Sequence, residues 1–156
     1  MPSSDNPGVI APPPLIYAGV LTLGLVVHFT ILPVQTGWPR GWRYSVAVLL
    51  VIAAILLIAG ALRRFSQAGT NVEPWKPSTA IVVDGVYRFT RNPIYLAMAL
   101  AYVAISLATD SVVALMLLVP ALLIVRYGVI GREERYLDAK FGDSYRRYQA
   151  SVRRWI

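Results

Sequence analysis

The sequence predicts an all-α integral membrane protein with four transmembrane helices, the third and fourth a tight helical hairpin, followed by C-terminal amphipathic interfacial helices. Three observations predict it. Of 156 residues, 56% are hydrophobic and only 15% charged, against about a quarter charged in a soluble domain. The apolar residues collect into runs near the roughly 20 residues that cross a bilayer as a helix. The 15 Lys and Arg residues fall between and after those runs.

Residues 1–14 contain Pro2, Pro7, Pro12, Pro13 and Pro14 and no Lys or Arg. They predict an irregular tail without the basic start of a secretory signal. Leu15–Leu32 and Tyr44–Leu62 are the first two spans, filling residues 15–62. A polar loop follows over 63–91. Ile94–Ala108 and Val112–Val125 are separated only by Thr109, Asp110 and Ser111, which predicts an antiparallel helical hairpin over 92–130. Both runs are short for spans. They reach spanning length when extended to Pro93 and toward Ile130, with Arg126 snorkelling to the headgroups. Pro120 is expected to kink the fourth helix. Residues 131–156 form a charged tail, and the whole chain, 1–156, is one membrane domain.

Composition also excludes. The chain has no cysteine, so disulfides, thiolate metal sites and cysteine nucleophiles are out. Its single histidine, His28, lies in an apolar run, so neither a histidine metal cluster nor a Ser/His/Asp triad can be assembled. The net charge of +7 is accompanied by no nucleic-acid module, and no nucleic-acid partner is expected. Two basic residues lie between the first two spans, five in the second loop, none at the hairpin tip and eight from Arg126 onward. The positive-inside rule then puts the second loop and both termini in the cytoplasm.

The stretch DGVYRFTRNPIYLAMAL, residues 84–100, turns from charged and aromatic to apolar at Asn92-Pro93. Asparagine is a favoured helix N-cap and proline a favoured first helical residue, so the third helix starts sharply there. Tyr95 and Tyr102, seven residues apart, share a helix face. In the tail GREERYLDAKFGDSYRRYQASVRRWI, Glu133, Tyr136, Leu137 and Lys140 share one face and Gly142 marks a break. Glu133 and Glu134 point about 100° apart. One is expected to face Arg or Lys neighbours and the other inward. A carboxylate among tyrosines at a membrane surface suits a cationic, partly apolar ligand. The same features also allow plain interfacial anchoring.

GVYRFTRNPIY, a hydrophobic hairpin and EERYLDAKFGDSYRRY, in that order over residues 84–149, resemble the isoprenylcysteine carboxyl methyltransferase and phospholipid methyltransferase superfamily of small bacterial-type membrane enzymes. The family pattern is approximately R-H-P-x-Y-x-G, a hairpin, then E-E-x-x-L-x-x-x-F-G-x-x-Y. The resemblance implies an integral protein of the bacterial inner membrane that uses S-adenosylmethionine without a Rossmann domain. It implies cofactor contacts from Arg91, Asn92, Pro93, Tyr95, Glu133, Glu134, Leu137 and Tyr145, with Glu133, Glu134 and Arg147 as catalytic candidates. Where the acceptor is an ammonium, Glu133 or Glu134 would take its proton. Arg147 or Arg153 would position an acidic group. Asn92 stands where the family usually has histidine and Ala97 where it has glycine, so no imidazole base is present.

The reaction implied is methyl transfer to a lipophilic or membrane-embedded carboxylate, thiol or amine, with the bilayer and a lipid or lipophilic small molecule as partners. Two other readings compete: an NADPH-dependent membrane reductase of the sterol reductase type, and a non-catalytic membrane module. The double glutamate favours methyl transfer.

Overall fold

The computed structural model describes residues 5–156. Six α-helices follow in order: α1 Pro13–Thr30, α2 Arg40–Ala68, α3 Pro93–Ala108, α4 Val112–Val125, α5 Gly131–Phe141 and α6 Asp143–Ser151. A 3₁₀ turn at Gly85–Arg88 precedes α3, and a π-turn at Arg126–Ile130 joins α4 to α5. No strand occurs among the described residues. Among the described residues, three helical runs are long and apolar enough to cross a membrane: Pro13–Thr30, Arg40–Ala68 and the continuous Val112–Phe141. The third helix is also apolar but has 16 residues.

Small residues set the packing. α2 lies along α3 and α1 along α4. The buried side of α2 is Ala47, Ala54 and Ala61, at seven-residue spacing, and α3 contributes buried Ala97 and Ala104. Where α1 meets α4, a Cβ on Gly24 would stand 2.8 Å from Ala114 Cα. Lipid tails are as apolar as leucine, so helices in a membrane associate by such close approach rather than by hydrophobic exclusion. The large side chains accordingly point outward: Leu23, Phe29, Leu49, Leu56 and Met116 are all exposed.

Thr109, Asp110 and Ser111 make the turn between α3 and α4. Ser111 caps α4 by accepting a hydrogen bond from the Ala114 N–H at 3.1 Å. Asp110 turns the corner with φ of 56°, a conformation that short polar side chains tolerate. Its carboxylate accepts from the Thr36 hydroxyl at 2.6 Å and the Thr36 N–H at 3.0 Å, and pairs with Arg43 at 3.4 Å. The α1–α2 loop is thereby pinned to the hairpin tip. Those contacts, the Thr36 bonds above all, hold the Asp110 carboxyl below the usual carboxylate range.

Three expectations are corrected. α2 does not stop at Leu62 but runs to Ala68, so the loop begins at Gly69 rather than at residue 63. Arg63–Ala68 contains no helix breaker; charge there marks the edge of the apolar run, and the helix ends only where Gly69 adopts φ of 62°, the left-handed cap that glycine favours. The tail helix α5 is not a separate element but the continuation of α4. Pro120 lies inside α4, and the π-turn falls later, at Arg126–Ile130. The expected irregular tail ends at Pro12, because Pro13 opens α1; residues 1–4 lie outside the described ones.

The up-and-down order brings the start of α1, the end of α2, the start of α3 and the start of α5 to the same end of the bundle. They enclose a cavity there, away from the hairpin tip.

Candidate functional site

A cavity of about 290 Å³ opens at that end, near the lower limit of the roughly 300–1,000 Å³ of small-molecule sites. Its wall comes from Pro7, Pro13 and Pro14 at the N-terminal side, Phe65 of α2, the loop residues Asn71–Trp75 and Ser78–Val82 apart from Thr79, Tyr87, the start of α3, and α5 and α6. Of the residues singled out in the sequence, Arg91, Asn92, Tyr95, Glu133, Leu137 and Tyr145 line it. Pro93 and Glu134 are not in the lining.

The two glutamates part company as their helical positions require. Glu133 turns to the cavity, where its Oε1 accepts a hydrogen bond from the Tyr95 hydroxyl at 2.7 Å. Tyr95 is buried on α3, so this bond links α3 to α5. Glu133 lies three residues beyond the apolar run that ends at Ile130, in the charged turn GREER. Burial pushes its carboxyl up to about 7; the Tyr95 bond opposes the shift, and the neighbouring Glu134 charge adds to it.

Glu134 sits between two arginines. Arg154 approaches it in a fork, Nε at 3.0 Å and Nη2 at 2.6 Å, and Arg91 Nη1 lies 3.1 Å away. The Arg91 and Glu134 side chains are only 10% and 12% exposed. This forked geometry is the strongest kind of ion pair. It closes the C-terminal tail onto α5. Arg91 is left with its Nε and Nη1 buried and without a hydrogen-bond partner, the Glu134 contact being one of charge and not of alignment. Buried donors are rarely left so, and here they belong to a residue of the cavity wall.

Asn92 occupies the N-cap position of α3, with Pro93 following, but its side chain makes no capping bond. Instead its Nδ2 donates to the Arg154 carbonyl at 2.9 Å. The Thr90 hydroxyl donates to the same carbonyl at 3.2 Å, and the Arg91 N–H to the Arg153 carbonyl at 3.0 Å. The turn before α3 is thus a clamp on the tail. Asn92→Asp cannot donate and sets a carboxylate against a carbonyl, so it should cost about 1 to 3 kcal/mol of stability. A purely capping role would leave Asn92→Asp silent; thermal unfolding in detergent distinguishes the two.

Arg147 is a correction. It is exposed and absent from the cavity wall, as is Arg153. α6 buries Tyr145 and Tyr148, three residues apart, which turns Arg146 and Arg147 outward. Tyr148 donates to the Tyr87 carbonyl at 2.7 Å. Burial raises Tyr87 and Tyr148 well above the usual phenol value and pushes Tyr145 up to about 12. These phenols stay protonated. Sequence reasoning also missed the loop contribution, Val72, Glu73, Trp75 and Ser78, and the proline wall; Pro7, Pro13 and Pro14 carried no signal beyond irregularity.

The sequence profile described as phospholipid methyltransferase matches residues 42–144, about two thirds of the chain and most of the cavity wall. The chain belongs to the phospholipid methyltransferase family. The matched stretch runs from the start of α2 to α6 and contains the Arg91–Tyr95 turn, the hairpin and the Glu133–Glu134 pair. A Haemophilus influenzae protein described as uncharacterized is 40% identical over 62 residues, 40% of this chain and 98% of that protein. No solved structure matches the chain. The family is one of methyltransferases, and the chain has helices long and apolar enough to cross a membrane.

Proposed function

We propose that the protein transfers a methyl group from S-adenosylmethionine to a lipophilic acceptor held at the membrane surface. The observation that carries the reading is the pairing, in one cavity, of an arginine whose buried N–H donors lack a hydrogen-bond partner and a half-buried carboxylate held by the Tyr95 hydroxyl. S-adenosylmethionine carries a carboxylate at one end and a sulfonium in the middle. Arg91 suits the first, Glu133 the second, and Tyr87, Tyr145, Leu137 and Phe65 suit its apolar parts. When bound, the cofactor supplies an electrophilic methyl group on positively charged sulfur.

The residues then act by holding and drying the site. The Arg91–Glu134–Arg154 cluster fixes the tail behind the cavity, and the Tyr95–Glu133 bond fixes the carboxylate. Alignment and exclusion of water are what methyl transfer chiefly needs from a protein. A carboxylate or thiolate acceptor attacks with its own lone pair. An amine acceptor must lose a proton, and Glu133 is the group positioned to take it. The competing reductase reading has no comparable support, because the family match is to methyltransferases.

In this reading α3 also crosses the membrane, making four crossings, and the cavity faces the cytoplasm. The cysteine-free chain allows a direct check. A cysteine at 110 should react with an impermeant reagent from outside intact cells, and one at 144 only after lysis; the reverse pattern rejects this orientation. Activity is tested by supplying methyl-labelled S-adenosylmethionine to the protein in membranes: label is expected in the lipid-soluble fraction. Its absence across fractionated lipid extracts counts against the reaction.

A further inference from the structure

The segment between Asp5 and Pro12 lies along α5 and the π-turn in a regular antiparallel register. Asp5 accepts from the Tyr136 hydroxyl at 2.9 Å and from Lys140 Nζ at 2.7 Å. The Gly8 carbonyl accepts from Arg132 Nη1 at 2.7 Å, and the Ile10 N–H donates to the Gly128 carbonyl at 3.3 Å. The lengths agree: five extended residues reach about 17 Å, and the 8 to 12 helical residues from Gly128 to Tyr136 and Lys140 cover about 12 to 18 Å. Gly128 is a seat for this chain, since a Cβ there would collide with the Ile10 side chain. Pro7 faces the cavity from this segment, and Pro13 and Pro14 continue the wall.

Two features distinguish the segment from the rest of the wall. Its fastenings are at the surface: Asp5 and Lys140 side chains are 58% and 28% exposed, and Ile10 is 53% exposed. Exposed ion pairs hold weakly, whereas the opposite wall is fixed by the buried Arg91–Glu134–Arg154 cluster. Tyr136 also joins the segment to the loop around Ser78, because its hydroxyl accepts the Ser78 N–H at 3.1 Å while donating to Asp5. Prolines at 7, 12, 13 and 14 stiffen the segment, so that release at Asp5 and Ile10 lets it swing about its attachment to α1.

We propose that residues 5–12 form a strap that closes the cavity from the aqueous side, latched by Asp5 on Tyr136 and Lys140 and by Ile10 in the Gly128 notch. The inference rests on the cavity being the cofactor site only for what passes the strap; that the strap gates the cavity is independent of it. Water-soluble ligands enter and leave when the latch opens.

The test uses full-length protein carrying a cavity cysteine, Met98→Cys, in the otherwise cysteine-free chain. Labelling by a water-soluble thiol reagent is followed in detergent. Asp5→Lys should speed labelling by up to about fivefold, the scale of one exposed ion pair, and adding Lys140→Asp should restore the slow rate. Ile10→Ala, which leaves the ion pair intact, should also speed it. S-adenosylhomocysteine dissociation, measured on the same variants, should follow the same order. Faster labelling with no S-adenosylhomocysteine binding in any variant supports the strap and removes the cofactor reading. Labelling unchanged in both Asp5→Lys and Ile10→Ala overturns the strap, whether or not the nucleoside binds. Failure of the charge swap to restore closure overturns the latch.

Discussion

Glu134→Gln should destabilise the protein by about 3 kcal/mol and loosen its C-terminus, because breaking a buried ion pair leaves uncompensated charge behind. Arg91 would lose its only carboxylate, and Arg154 both arms of its fork. The cost stays at the lower end for such a change because the Arg154 side chain retains 28% exposure. Thermal unfolding in detergent and proteolysis near residue 153 report the two parts of the effect. A variant with unchanged unfolding and an equally protected tail would mean that the cluster is not what closes the tail. Loss of cofactor affinity should accompany the loosening, since Arg91 is held in the cavity wall by the same contacts.

Glu133→Gln should act in the opposite sense on stability. The folded state raises this carboxyl to about 7, so the folded protein binds the proton more tightly than the unfolded chain does. Stability from this group is therefore fully present at low pH and is lost as pH rises from the ordinary carboxyl range through about 7. Glutamine removes that loss. The variant should be more stable than the parent at pH 8 and nearly equal at pH 5. Its affinity for S-adenosylmethionine should nonetheless fall by about 1 to 3 kcal/mol at pH 8, the worth of a charged partner in a desolvated site. Affinity for S-adenosylhomocysteine, whose thioether carries no charge, should hardly move. Equal losses for both ligands would assign Glu133 a steric role instead.

The all-helical, membrane-compatible fold was legible because apolar runs and charge announce it locally, and the hairpin because three polar residues leave room for nothing but a turn. The ends of helices were less legible. Arg63–Ala68 looks like loop by charge but is helix by propensity, and propensity decides until Gly69. In the site, the opposed directions of Glu133 and Glu134 followed from helical geometry alone. Their partners did not: Arg91 lies more than 40 residues from Glu134 in sequence, and nothing local joins them. Asn92 was legible as the residue before a helix, but the carbonyl it binds comes from Arg154, at the far end of the chain. The outward aim of Arg147 could have been read from Tyr145 and Tyr148 at helical spacing. The strap could not, since its register depends on the π-turn and on Gly128, neither of which has a sequence signature strong enough to place the tail.

The most direct measurement is calorimetry of S-adenosylmethionine and S-adenosylhomocysteine binding to the purified protein between pH 6 and 8. Both ligands should bind, near micromolar affinity or about 8 kcal/mol. Because the sulfonium favours ionised Glu133, S-adenosylmethionine should bind more tightly as pH rises, by up to about tenfold per unit below 7, levelling off above it with release of a proton on binding at the lower pH. S-adenosylhomocysteine should show little of this dependence. Folded protein that binds neither ligand, or binds both with the same flat pH profile, would contradict the assignment of the cavity to a sulfonium cofactor.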